Sequence, residues 1–132
     1  MRIGISSHGT DKVSRMTEMV RRSFAEMGHE AAIVSDSPYG LSAYDFLVFI
    51  TEPKSMFGGI ASSLPQTLAK SEGLIGKRCL ALVRKSGFRS GNTLRKFMEA
   101  LEHEGLVVVQ GEIVSDASSA AAVARGTPLN RR

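Results

Sequence analysis

Arg2-Ile3-Gly4-Ile5-Ser6-Ser7-His8-Gly9-Thr10-Asp11 is the stretch on which the reading of the whole chain turns. An apolar strand runs straight into a small hydroxyl-rich turn, and a helix starts at Asp11. The N–H groups at a helix start have no intrahelical partners and carry partial positive charge, so a phosphate placed there meets donors already aimed at it. Gly9 can take backbone angles that a Cβ resists, and Ser6, Ser7 and Thr10 add short hydroxyl donors. A plainer reading stands beside this one: Thr10 or Asp11 caps the helix, and Gly9 only turns the chain.

Outward from this stretch, strand and helix patterns alternate. Val13, Met16, Thr17, Val20 and Phe24 recur at helical spacing and Gly28 follows as a stop, so residues 11–27 read as an amphipathic helix with Arg15, Glu18, Arg21, Arg22 and Glu26 outside. Residues 29–34 read as a short strand closed by the turn-rich Ser35-Asp36-Ser37-Pro38-Tyr39-Gly40. Phe46-Leu47-Val48-Phe49-Ile50 is apolar without interruption, the mark of a strand covered on both faces near a sheet centre. A glycine-bearing loop over 51–59 leads to a helix through Leu64 and Leu68, whose Pro65 belongs in the first turn because proline lacks the N–H a helix interior needs. Residues 77–84 give a fourth strand, and Ser86-Gly87-Phe88-Arg89-Ser90-Gly91-Asn92 a second glycine-bearing loop. Leu94, Phe97, Met98 and Leu101 form a helical stripe, residues 106–109 a fifth strand, and 118–125 an alanine-rich helix. The expected core includes Ile3, Ile5, Val48, Ile50, Leu80, Leu82, Val107 and Val109, with Cys79 buried as a small inert thiol.

Strands apolar on both faces, joined through helices, point to an α/β fold: a three-layer, doubly wound, five-stranded parallel sheet in the order 2-1-3-4-5. The 132 residues, 42% hydrophobic, suit a single domain over 1–132, with residues 126–132 expected as a flexible tail. In such sheets a ligand sits beyond the carboxyl ends of the strands where strand order reverses. The loops after strands one, three and four would converge there, with Met56, Phe57 and Phe88 as apolar walls for a planar ring and a phosphate on the first loop.

Composition narrows the function classes. One cysteine rules out an internal disulfide, no His/Cys/Asp/Glu cluster has metal-ligand spacing, and no catalytic side chain can be assigned. His29 and His103 read as surface residues. No apolar stretch is long enough to cross a bilayer and no secretory leader pattern opens the chain, so the expected location is cytoplasmic. A net charge of +4 favours an anionic ligand or partner. Its cations are scattered, without a nucleic-acid motif, so nucleic acid is not expected as a partner.

At this point the chain resembles the flavodoxin-like superfamily, flavodoxins and the short NAD(P)H-dependent flavin and quinone reductases, over nearly its whole length. The resemblance rests on the hydroxyl-glycine loop after the first strand, on Tyr44-Asp45-Phe46-Leu47-Val48-Phe49-Ile50-Thr51-Glu52-Pro53 running into Phe57-Gly58-Gly59, on Ile75-Gly76-Lys77-Arg78, and on Gly91-Asn92-Thr93-Leu94 with Leu101 and Gly105. It implies FMN as cofactor. Ser6, Ser7, His8, Gly9 and Thr10 would match the phosphate loop, Met56, Phe57, Gly58 and Gly59 one flavin loop, and Ser86, Gly87, Phe88 and Gly91 the other. Two departures stand out: Asp11 replaces a second threonine and would oppose a phosphate, and His8 replaces a small hydroxyl residue.

The resemblance implies an FMN-binding redox protein, either an electron carrier or an NAD(P)H-dependent flavin or quinone reductase, with a redox protein or small molecule as acceptor. Lys54, Arg84, Lys85 and Arg89 give the same rim a basic character, and the last three are candidate contacts for a nicotinamide nucleotide. A homodimer enters because so short a chain would need a second subunit to complete a nicotinamide site. The alternative is a flavodoxin-like binding module that has lost FMN and recognises another anion or a protein partner.

Overall fold

The computed structural model describes residues 1–36, 40–54, 59, 63–87 and 89–129. Among these residues five strands alternate with four α-helices: β1 (Arg2–His8), α1 (Asp11–Glu26), β2 (Glu30–Ile33), β3 (Phe46–Thr51), α2 (Ser63–Ala69), β4 (Arg78–Arg84), α3 (Ser90–His103), β5 (Val107–Val114) and α4 (Ala117–Gly126). The sheet order is β2-β1-β3-β4-β5 and every pair is parallel, as the alternation of patterns requires. Ile5 lies between Ile33 and Val48, and Val48 beside Leu80, so the branched side chains of four strands stack in one layer.

Side chains alternate across a strand, and the two faces build two cores. Ile3, Ile5, Val48, Ile50, Leu80 and Leu82 pack against Val13, Met16, Val20 and Phe24 of α1 and Ala120 and Ala124 of α4. Leu47, Phe49, Cys79, Ala81 and Val83 face the other way, onto Leu64 and Leu68 of α2 and Phe97 and Leu101 of α3. All six residues of β3 are buried, which makes it the central strand that its uninterrupted apolar run announces. Full burial of one such Leu, Ile or Phe stabilises the fold by about 1.5–3 kcal/mol. Gly4 has a packing reason of its own: a Cβ there would stand 2.6 Å from Cδ2 of the buried Tyr44 ring.

Three expectations are corrected. Val107 is 44% exposed and Val109 only partly buried, because β5 is an edge strand and its pairing with β4 skips a residue. Cys79 pairs with Val108 and Leu80 with Gln110, which leaves Val109 as the extra residue of a bulge. The same strand runs on to Val114, through Gln110, Gly111 and Glu112, since β4 supplies backbone partners irrespective of side-chain polarity. The loop expected over 86–92 is shorter, because α3 already begins at Ser90 and takes Gly91 and Asn92 into its first turn. Beyond α4, Thr127 is buried with its hydroxyl donating to the Val123 carbonyl at 2.7 Å, and Leu129 packs on the α1/α4 core.

Candidate functional site

The carboxyl ends of β1, β3 and β4 carry the residues of interest. Ile3 and Ile5 face α1, so Ser6 and His8 point to the opposite side of the sheet, toward α2. Ser6 Oγ and His8 Nε2 are hydrogen-bonded at 2.8 Å, both residues buried. They line a recess of about 240 Å³ with Ser7, Val34, Ser35 and Thr67. Burial holds the His8 imidazole below its ordinary pKa, so near neutral pH it brings no positive charge to the loop.

On the α1 side the loop is already engaged. Thr51 closes β3 against β1, its hydroxyl donating to the His8 carbonyl at 2.7 Å. The next residue, Glu52, is 7% exposed and turns its carboxylate onto the start of α1. Thr10 N–H donates to Glu52 Oε2 at 2.5 Å. Arg84, at the end of β4, donates to Glu52 Oε1 from Nη2 at 2.6 Å and from Nε at 2.9 Å. Burial alone would raise the Glu52 pKa, but the Thr10 donors and the Arg84 guanidinium outweigh it and hold the group below the usual carboxylate range. Gly9 makes room: a Cβ there would lie 2.7 Å from Glu52 Oε2 and 2.8 Å from Val13 Cγ2.

The loop is therefore an anion seat, and the anion is the chain's own. Asp11, the acid that the sequence sets against a phosphate, is solvent-exposed, and Glu52 is the carboxylate that faces the loop. Sequence reasoning missed that role for Glu52. Its signal was an acid two residues after the apolar run Phe46–Ile50, at the end from which the other loops leave.

Of the other expected site residues, Met56, Phe57, Gly58 and Phe88 lie outside the described residues. Gly59 has φ +90° and its carbonyl accepts from the Thr93 hydroxyl at 3.0 Å. Ser86 is tied locally, its N–H and carbonyl both bonded to the Ser90 hydroxyl at 3.2 Å. Gly87 and Gly91 line a hollow of about 380 Å³ with Lys85, Ser90, Ile113 and Ser115. Among the described residues, that hollow and the Ser6–His8 recess share none. A third cleft, about 350 Å³, lies between α1 and the turn into α4 and is lined by Lys12, Arg15, Met16, Arg84, Ser115, Asp116 and Ala117. Asp116 accepts the Ser119 N–H at 2.8 Å as the α4 cap, while Lys12 and Arg15 are exposed and, among the described residues, in no ion pair.

Solved structures share this architecture. Flavodoxin 2 from Bacillus cereus superposes with a TM-score of 0.71 at 16% identity, covering 94% of this chain and 95% of that one. A flavodoxin from the domain Archaea reaches 0.72 at 10% identity over 96% and 95% of the two chains. This chain has the flavodoxin-like fold. The flavodoxin-like group extends to a WrbA-like protein from Agrobacterium tumefaciens, with a TM-score of 0.67 at 14% identity over 96% and 94%. No protein-family model matches the sequence, and no curated relative matches it. Among the described residues no helix is long and apolar enough to cross a membrane.

The flavodoxin-like fold raises FMN as a ligand, and the test of fit is whether its phosphate can use the 6–10 loop. Thr10 N–H is bound to Glu52, the Ser6 hydroxyl is bonded to His8 on the other face, and burial lowers the His8 pKa. With Glu52 seated, an FMN phosphate on this loop would find the Thr10 N–H taken and a carboxylate beside it, a poor fit.

Proposed function

We propose that the chain is a flavodoxin-fold binding module for a small ligand bearing a phosphate or carboxylate, received at the cationic cleft between α1 and α4 instead of on the 6–10 loop. One observation carries this reading: Lys12 and Arg15, in no ion pair among the described residues, line a single cleft of about 350 Å³ with the Glu52-paired Arg84, and Asp116, the carboxylate among its described lining residues, is turned to its own helix cap. Two cations not neutralised by an ion pair on a concave site concentrate positive potential and draw in anions. The test pairs two titrations on the full chain. FMN followed by flavin fluorescence should show no saturable quenching, and the purified protein should lack the flavin's visible absorbance. Pyrophosphate followed by calorimetry should bind saturably, and the double variant Lys12→Ala/Arg15→Ala should lose that binding. Binding of pyrophosphate undiminished in the double variant would refute the cleft.

A second reading, an FMN-dependent electron carrier or NAD(P)H-linked reductase, draws on a different observation. Strand order reverses between β1 and β3, and the loops after β1, β3 and β4 leave from the same edge. A bound flavin would supply the redox chemistry, and the protein would orient it. Glu52 would first have to leave Thr10. A yellow protein as purified, with tight FMN binding, would select this reading over the first.

A further inference from the structure

We infer that Glu52 is the specificity-determining residue of the 6–10 loop, a built-in counter-anion that denies the loop to phosphates and whose removal converts it into a phosphate site. The inference goes beyond the cleft reading and uses neither Lys12 nor Arg15. Its basis is that one carboxylate occupies the loop's Thr10 donor and the guanidinium beside it. Glu52 Oε2 holds the Thr10 N–H, and Oε1 holds two N–H groups of Arg84. Gly9 is the position that lets the carboxylate lie against the turn, since a Cβ would come within 2.7 Å of Oε2.

Glu52 is also held from behind. It follows directly on β3, whose last residue is tied to the His8 carbonyl, and Arg84 clamps it from the next strand. A phosphate entering beside a buried carboxylate would face its charge at a few ångströms, at the edge of a poorly screened interior. The low pKa direction of Glu52 means that protonation near neutral pH does not relieve that repulsion. Without Glu52, Thr10 and Arg84 are left as donors around a small positive hollow, the chemistry that phosphate recognition uses.

Inorganic phosphate is the probe, titrated at constant ionic strength against chloride, with the Thr10 amide followed by NMR in the full-length protein. In the wild type this amide should show no saturable shift. In Glu52→Ala it should shift saturably, with phosphate binding at least about tenfold tighter than in the wild type. Glu52→Gln, which keeps the size and an acceptor oxygen but drops the charge, should fall between the two. A wild-type Thr10 amide that responds as strongly as the variants' would overturn the inference. So would folded variants whose Thr10 amide ignores phosphate, or the failure of both to fold in phosphate buffer, because the inference requires phosphate to replace the carboxylate. Repeated in the Lys12→Ala/Arg15→Ala background, which removes the cleft, the same titrations should give the same outcomes, and pyrophosphate binding undiminished in that background refutes the cleft alone, so the two readings fail separately.

Discussion

Replacing Arg84 by Met isolates the pair that closes the loop. Methionine keeps much of the apolar stem and removes the guanidinium, so both bonds to Glu52 Oε1, at 2.6 and 2.9 Å, are lost while Thr10 still holds Oε2. Stripping one partner from a buried ion pair typically costs about 3–5 kcal/mol, because the remaining charge is left uncompensated. Here the Glu52 side chain is 8% exposed and that of Arg84 18%, so water reaches the freed oxygen in part and the expected loss is about 2–3 kcal/mol. For a domain of this size that corresponds to a fall in Tm of about 6–15 °C.

The pH dependence gives a second and more specific signature. In the wild type the folded-state pKa of Glu52 lies below its ordinary value of 4.5, so its contribution is fully present above that value and is lost as pH falls through the folded pKa. In Arg84→Met the guanidinium no longer opposes burial, and the folded pKa rises relative to the wild type. Protonation then relieves the variant, so its deficit should shrink between pH 7 and about pH 4. Urea denaturation of both proteins at the two pH values measures this. A deficit below about 1 kcal/mol at pH 7, or one that stays constant down to pH 4, would refute the assignment of a buried, charged Glu52 clamped by Arg84.

Two further substitutions or probes test the frame around the site. Gly4→Ala places a Cβ 2.6 Å from the buried Tyr44 ring, and the forced shift should cost about 1–3 kcal/mol in urea denaturation; an unchanged midpoint would mean that the ring has room to move. Cys79 is fully buried and its thiol pKa is pushed up to about 12, mainly by burial, so a thiol reagent should label it only at the rate of unfolding. Rapid labelling of the native protein would show that β4 is not the covered strand described above.

The secondary structure and sheet order were legible in the sequence because they follow from near neighbours. The uninterrupted run over Phe46–Ile50 demands cover on both faces, the 3.6-residue recurrence through Val13, Met16, Val20 and Phe24 demands a helix, and parallel strands joined through helices must cross over with one hand. Edge behaviour was less legible. Val107 and Val109 are as apolar as core residues, and the bulge opposite Cys79 and Leu80, with no strand among the described residues paired beyond β5, decided their exposure.

The character of the site came from tertiary structure alone. Thr10, Glu52 and Arg84 are separated by 42 and 32 positions, and no periodicity links them. They meet because the parallel registers bring the ends of β1, β3 and β4 together, His8 beside Thr51 and Thr51 beside Val83, so that the residues immediately beyond converge on the start of α1. The side-chain alternation of β1 then turns Ser6 and His8 to the other face of the sheet, although in the sequence they stand in the same hydroxyl-rich run as Thr10. The sequence by itself offered two readings of the turn after β1, an anion seat or a plain helix start. Which anion occupies it was decided by the packing of three strand ends, since a carboxylate's partners depend on distances in space that adjacency along the chain does not encode.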